Sequence, residues 1–128
     1  KIKSNLDSGV FQAVQEAGIA ALSLDQTVLD DLRNIYQERR DVFINGLNKL
    51  GLKVACSGAS FYLWIKVPAN YSSAQFVSNL LEKTSVLTTP GSAFGEFGEG
   101  YFRVSLTSPK ERLLEAIERM GKVGIGNK

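Results

Sequence analysis

An α+β domain, with helices packed on a small and largely antiparallel sheet, is the architecture expected of this 128-residue chain. Three observations lead there. Apolar residues recur at helical spacing in four segments and alternate at period two in short runs between them. The order of these segments is α-α-β-β-α-β-β-α, an α+β pattern. The apolar fraction of 44% and charged fraction of 22% are those of an ordinary globular protein, with length enough for one real core and not for two.

The first helix is expected over residues 8–22, where Val10, Phe11, Val14, Ala17 and Ala21 share a face and Gly18 interrupts. Asp25 then caps a long helix over 25–50, striped by Val28, Leu29, Leu32, Ile35, Tyr36, Phe43, Leu47 and Leu50 and stopped by Gly51. Such a helix is about 38 Å long. A compact chain of this size has a radius of gyration near ~14 Å. Helices that span a whole body often bridge two domains, and the second domain is not in this sequence. Strands are expected over 52–55 and 60–67, with Ser57 and Gly58 as the turn.

Ser72 and Gln75 match a capping box, opening a helix with Phe76, Val77, Leu80 and Leu81 inward. A short strand over 86–88 follows. The stretch PGSAFGEFGEG then has four glycines in eleven residues, typical of a loop that something approaches closely. After it, Phe102, Val104 and Leu106 alternate with Tyr101, Arg103 and Ser105 as a strand. Ser108, Pro109 and Glu111 predict a capping box with proline at the first helical position. Leu113, Leu114, Ile117 and Met120 form the last stripe, Gly121 ends it, and the tail KVGIGNK is expected to fray.

Composition excludes several classes. A net charge of +2 gives no electrostatic reason to expect nucleic acid or membrane as partner. Cys56 is the sole cysteine, which rules out an internal disulfide and favours a reducing, cytoplasmic location. With no histidine, the common zinc and histidine-based catalytic sets cannot form within the chain, and no metal is expected. No apolar run approaches the roughly 18–20 residues of a membrane span, and no signal segment is expected. The start KIKSNLDSG has no initiator methionine, as processing or a piece of a larger protein would have it.

Arg103 is the strongest candidate for chemistry. Its fork can take a carboxylate bidentately, and a strand holds it more firmly than a loop would. The loop before it offers backbone N–H groups and the Ser92 hydroxyl. Local pattern leaves the bland reading open, a solvated arginine on an open sheet face. Asn5, Asp7 and Ser8 read as turn and cap formers. Tyr62 and Trp64 on one strand face, like Phe61, Leu63 and Ile65 on the other, read as core. Arg39 and Arg40, with Glu38 and Asp41, read as a solvated helix face. GEFGEG lacks the preceding strand and following helix of a dinucleotide fingerprint.

Taken together, KSNLDSGVFQAVQEAGIAAL, YQERRDVFINGLNKLGLKV, ASFYLWIKVP, TPGSAFGEFGEGYFRVSLT and LLEAIERM resemble, in that order, the C-terminal portion of a class I/II aminotransferase. These are pyridoxal-phosphate enzymes of fold type I. The resemblance covers nearly the whole chain. The Y-x-x-R-R-D, P-G-S-x-F-G and F-R-V-S-L segments carry it most specifically, and SNLDSG points to the LL-diaminopimelate and aspartate aminotransferase-like branch.

The resemblance implies roles. Residues 1–24 belong to the interface with a large domain, and 25–128 form the small domain with its linking helix 25–50. Arg103 binds the substrate α-carboxylate. The loop of Pro90, Gly91, Ser92, Phe94 and Gly95 borders the substrate entrance and moves on closure. Asn5 reaches into the active site of the partner subunit of a homodimer, and the substrates are an amino acid and a 2-oxo acid. The Schiff-base lysine of the family lies upstream, and neither Lys1 nor Lys3 stands in its context. The chain is therefore expected to bind no pyridoxal 5'-phosphate and to be inactive by itself. The small domain of another fold type I enzyme (an acyl-transferring synthase, lyase or decarboxylase) and a stand-alone amino-acid-binding module are the alternatives.

Overall fold

The structure, a computed structural model, describes residues 2, 9–55 and 58–126. They fall into two compact units divided between Asn34 and Ile35. In the first unit lies α1, Gln12–Leu22, none of whose residues is buried. Of the expected helix start, Ser8 lies outside the described residues, and Phe11 occupies the cap position without a side-chain bond. Asp25 caps α2, Gln26–Lys49, as its sequence context predicts: the Thr27 N–H donates to Asp25 Oδ1 at 2.8 Å. Val28, Leu29 and Leu32 on this first part of α2 are exposed.

The second unit holds the core. Its part of α2 buries Phe43 and Leu47. The helix ends on Gly51, whose φ of +77° lets the Leu52 N–H turn back to the Leu47 carbonyl at 3.0 Å. Three antiparallel strands follow in the spatial order β1-β3-β2, with β1 Tyr62–Lys66, β2 Thr89–Pro90 and β3 Tyr101–Ser105. The register places Tyr62 opposite Ser105, Trp64 opposite Arg103, and Thr89 opposite Arg103 on the other edge. Pairing at period two sorts the side chains cleanly. Leu63, Ile65, Phe102 and Val104 are buried on one face, and Tyr62, Trp64, Tyr101 and Arg103 are half-buried on the other.

Three expected strands shrink, the 60–67 strand to Tyr62–Lys66. The 52–55 segment makes one bridge, Val54 to Ile65, flanked by the Ala55 N–H on Trp64 O and the Lys66 N–H on Lys53 O. Ser57 of the expected turn lies outside the described residues. Residues 86–88 do not pair at all. The Val86 N–H is used by Thr84 Oγ1 at the preceding helix end, where Ser85 is left-handed, so pairing starts only at Thr89. Pro90 lacks an N–H and ends it, which an edge strand tolerates.

Helix α3, Ser73–Thr84, has the capping box that Ser72 and Gln75 predict. Phe76, Val77 and Leu80 are buried, while Leu81 lies at the rim of the stripe and is exposed. Helix α4, Lys110–Lys122, starts one residue later than expected. Pro109, with ψ of 152°, is its cap rather than its first turn, and its carbonyl receives the N–H groups of Arg112 and Leu113. The Ser108–Glu111 box is not formed. Leu113 and Met120 are buried and Ile117 packs against the core, but Leu114 is exposed. Nor does Gly121 end the helix, and the described part of the tail, 122–126, does not fray: the Ile125 N–H caps the Met120 carbonyl at 3.1 Å, and Ile125 is buried.

Arg39 also departs from the solvated face expected of it. Its guanidinium lies over the Tyr36 ring and donates to the carbonyls of Leu106, at 3.1 Å, and Thr107, at 3.2 Å. It thereby ties α2 to the chain just beyond β3.

Candidate functional site

The sheet face turned away from the core forms an open cavity of about 690 Å³, lined by Tyr62, Trp64, Tyr101, Arg103, Phe94 and Phe97 among others. Tyr62 and Trp64 are thus walls of a site and not core, contrary to the expectation from their strand. Antiparallel register explains it: Tyr62, Trp64, Tyr101 and Arg103 all fall on one side of the β1–β3 pair.

Arg103 lies on the central strand, between Trp64 and Thr89. Its Cζ sits 4.1 Å from the Tyr62 ring centroid and 4.4 Å from that of Phe94. Two aromatic rings thus pack against the guanidinium, cation–π contacts worth about 0.5–2 kcal/mol each. The N–H donors of a guanidinium lie in its own plane, where a carboxylate can take two parallel bonds. No carboxylate pairs with Arg103 among the described residues, although Arg33, Arg40, Arg112 and Arg119 all have one. Trp64 meets Phe94 edge-on at 5.4 Å and Tyr101 at 6.4 Å, so the aromatic wall is itself packed.

The glycine loop forms the rim. Two short 3-10 turns, Gly91–Phe94 and Glu96–Gly98, fold it back on itself. Gly91 and Gly98 meet face to face: a Cβ on either would come within 1.9–2.0 Å of the other's carbonyl oxygen. Only glycine fits at that crossing.

Of the predicted loop residues, Phe94 lines the cavity, whereas Pro90 and Gly91 build its support. The Ser92 hydroxyl, which the sequence offers to a ligand, is engaged within the protein and does not line the cavity. It lies 3.0 Å from Ser73 Oγ, and the Ser92 N–H donates to the same oxygen at 3.3 Å. Asn5, like Lys1 and Lys3, lies outside the described residues.

Ser73 and Glu99 escaped the sequence reading. The Ser73 N–H and hydroxyl donate to the two oxygens of Glu99 at 2.8 Å each, which holds the Glu99 carboxyl below its ordinary range. Nothing in the local pattern of either segment marks the pair, because the contact joins residues 26 apart in the chain. Among the described residues no group of metal-ligating side chains occurs, and no helix is long and apolar enough to cross a membrane.

Helices packed with a small three-stranded antiparallel sheet match the fold of type I aminotransferases of known structure. The chain superimposes on BacF from Bacillus subtilis with its substrate bound, at a TM-score of 0.87 and 36% identity over 95% of this chain and 32% of that one. An aminotransferase from Staphylococcus aureus gives 0.89 and 32%, over 99% and 34%. The model of the aminotransferase class I and II family matches residues 2–120, and the chain belongs to that family. It is 52% identical to the LL-diaminopimelate aminotransferase of Aquifex aeolicus over 94% of its length, and 54% identical to that of Moorella thermoacetica over 96%. It spans 31–32% of the length of these two relatives.

Family membership implies pyridoxal 5'-phosphate in the parent enzyme. The lining of the cavity does not fit that group: among the described residues it holds no lysine for the aldehyde and no carboxylate for the pyridine nitrogen. The donor set fits a carboxylate instead.

Proposed function

We propose that this chain is the C-terminal small domain of a pyridoxal-phosphate aminotransferase, which moves an amino group between an amino acid and a 2-oxo acid. Arg103 receives the substrate α-carboxylate. The observation that carries this reading is a guanidinium in contact with two aromatic rings, with no acidic partner among the described residues, on the central strand of an open cavity. Held at two N–H groups, a substrate carboxylate loses most of its rotational freedom, and that orientation directs its Cα–H toward the cofactor carried by the rest of the enzyme. Residues 1–24 pack on the large domain, helix 25–50 links the two domains, and the Pro90–Gly95 loop borders the entrance. Asn5 extends toward the site of the partner subunit in a cytoplasmic homodimer. Alone, the chain is inactive, since the Schiff-base lysine lies upstream. The names of its relatives favour transamination over acyl transfer, lysis or decarboxylation, and LL-diaminopimelate is the first amino donor to assay.

In the full-length parent, Arg103→Ala lowers kcat/KM for the amino acid by about 10²–10³, some 3–4 kcal/mol of lost binding in the transition state. The same variant treats an amine lacking the α-carboxylate much as the wild type does. Near-normal kinetics with the amino acid overturn the assignment.

A further inference from the structure

Phe94 shares a single 3-10 turn with Ser92, so whatever fixes Ser92 also fixes the ring lying over Arg103. What fixes Ser92 is not in the loop. Ser73 is fully buried at the first position of α3, and its Oγ lies within hydrogen-bond distance of Ser92 N, Ser92 Oγ and Glu99 Oε2. One hydroxyl has one proton. With that proton given to the ionised Glu99, Ser73 Oγ accepts from both the N–H and the hydroxyl of Ser92, and all its capacity is used. Glu99 closes the set from the far end of the loop, with its other oxygen on the Ser73 N–H, one of the donors a helix start leaves unpaired. The loop is thus gripped at both ends by one buried serine. Just before Ser92, Gly91 lies against Gly98, and between the gripped ends Phe94 and Phe97 remain exposed.

We propose that Ser73 and Glu99 are positioning residues for substrate binding: they latch the 91–98 loop to the start of α3 and so hold Phe94 on the guanidinium of Arg103. This rests on the carboxylate-binding reading of Arg103 and adds two residues, neither of which touches substrate. With the latch open, the Phe94 ring leaves the guanidinium, and Arg103 keeps only one of its two ring contacts. Ground-state and transition-state binding weaken together, so KM rises while kcat holds.

The test uses the full-length enzyme with Ser73→Ala, Glu99→Ala and Glu99→Gln, read by amide hydrogen exchange over 91–98 and by steady-state kinetics. Ser73→Ala and Glu99→Ala are expected to speed exchange in the loop and raise KM for the amino acid, each about tenfold, with kcat within about twofold. Glu99→Gln retains an acceptor for the Ser73 N–H and the shape of the side chain, and is expected to restore most of both, which separates latching from misfolding. Unchanged exchange in the two alanine variants overturns the latch. Faster exchange with an unaltered KM overturns the positioning role. The exchange measurement does not involve Arg103, so a failure of the carboxylate reading shows separately, as normal kinetics in Arg103→Ala.

Discussion

Gly91 shows how little room the site leaves for variation. An added Cβ would lie 1.9 Å from the Gly98 carbonyl oxygen and 2.6 Å from that of Tyr101, both backbone atoms that cannot swing aside. Gly91→Ala must therefore push the two arms of the loop apart, at a cost of roughly 1–3 kcal/mol as overpacking generally has. Thermal unfolding of the variant reads the loss, and a melting temperature equal to the wild type's counts against the geometry. Arg103 teaches a different lesson about single residues. Alternation placed it on the polar strand face, and that was correct, but alternation has no knowledge of Tyr62 or Phe94. The two ring contacts of the guanidinium come from a register and a loop fold that no local pattern encodes. Ser92 went the other way. A hydroxyl in a glycine loop looks free in the sequence, and its partner Ser73 lies 19 residues earlier.

Strand β3 carries both the core and the site, since its alternate side chains face opposite ways. Phe102 is fully buried, its ring 5.0 Å from that of Phe76, one residue from Arg103. Phe102→Ala is expected to cost about 3–5 kcal/mol of stability, measured by denaturant unfolding, and less than 1 kcal/mol would contradict the packing. Helix α3 has a pH signature at its start. The N–H and hydroxyl of Ser73 hold Glu99 below its usual value of 4.5. A depressed carboxyl stabilises the fold fully above that value and loses its contribution as the pH falls through the lowered one. The stability gap between wild type and Glu99→Ala should therefore narrow on acidification below about pH 4.5, and a gap constant down through that range overturns the bond. Helix starts are legible where a capping residue precedes an apolar stripe, as at Asp25 and Ser72, and strands are less so. Whether 52–55 or 86–88 pairs depends on what competes for their N–H groups, and Val86 is claimed by Thr84 before a strand can begin.

Large apolar side chains of the first helix, and those of the Val28–Ile35 part of the second helix's stripe, end up in water. On α1, Val14 is 58% exposed, Ile19 60% and Leu22 90%, and on α2 Val28 and Leu32 are about half exposed. A soluble chain rarely leaves so many large apolar side chains uncovered along consecutive helices unless another surface meets them. The chain spans about a third of the length of its relatives, and in the proposed parent the large domain supplies that surface. The 35–128 unit, by contrast, has its own core, from Phe43 and Leu47 through Phe102 to Met120 and Ile125. Expressed alone, the 128-residue chain should therefore fold its second unit cooperatively, bind a hydrophobic dye and self-associate with rising concentration. Replacing Val14, Leu22, Val28 and Leu32 together by glutamate should abolish dye binding and association without lowering the unfolding midpoint of the core, because none of the four contributes to it. Sedimentation and dye fluorescence measure the first effect, and tryptophan fluorescence of Trp64 during denaturant unfolding measures the second. A monomer that binds no dye before the substitutions, or a core midpoint that falls with them, would show that these stripes are not an interface awaiting the rest of the enzyme.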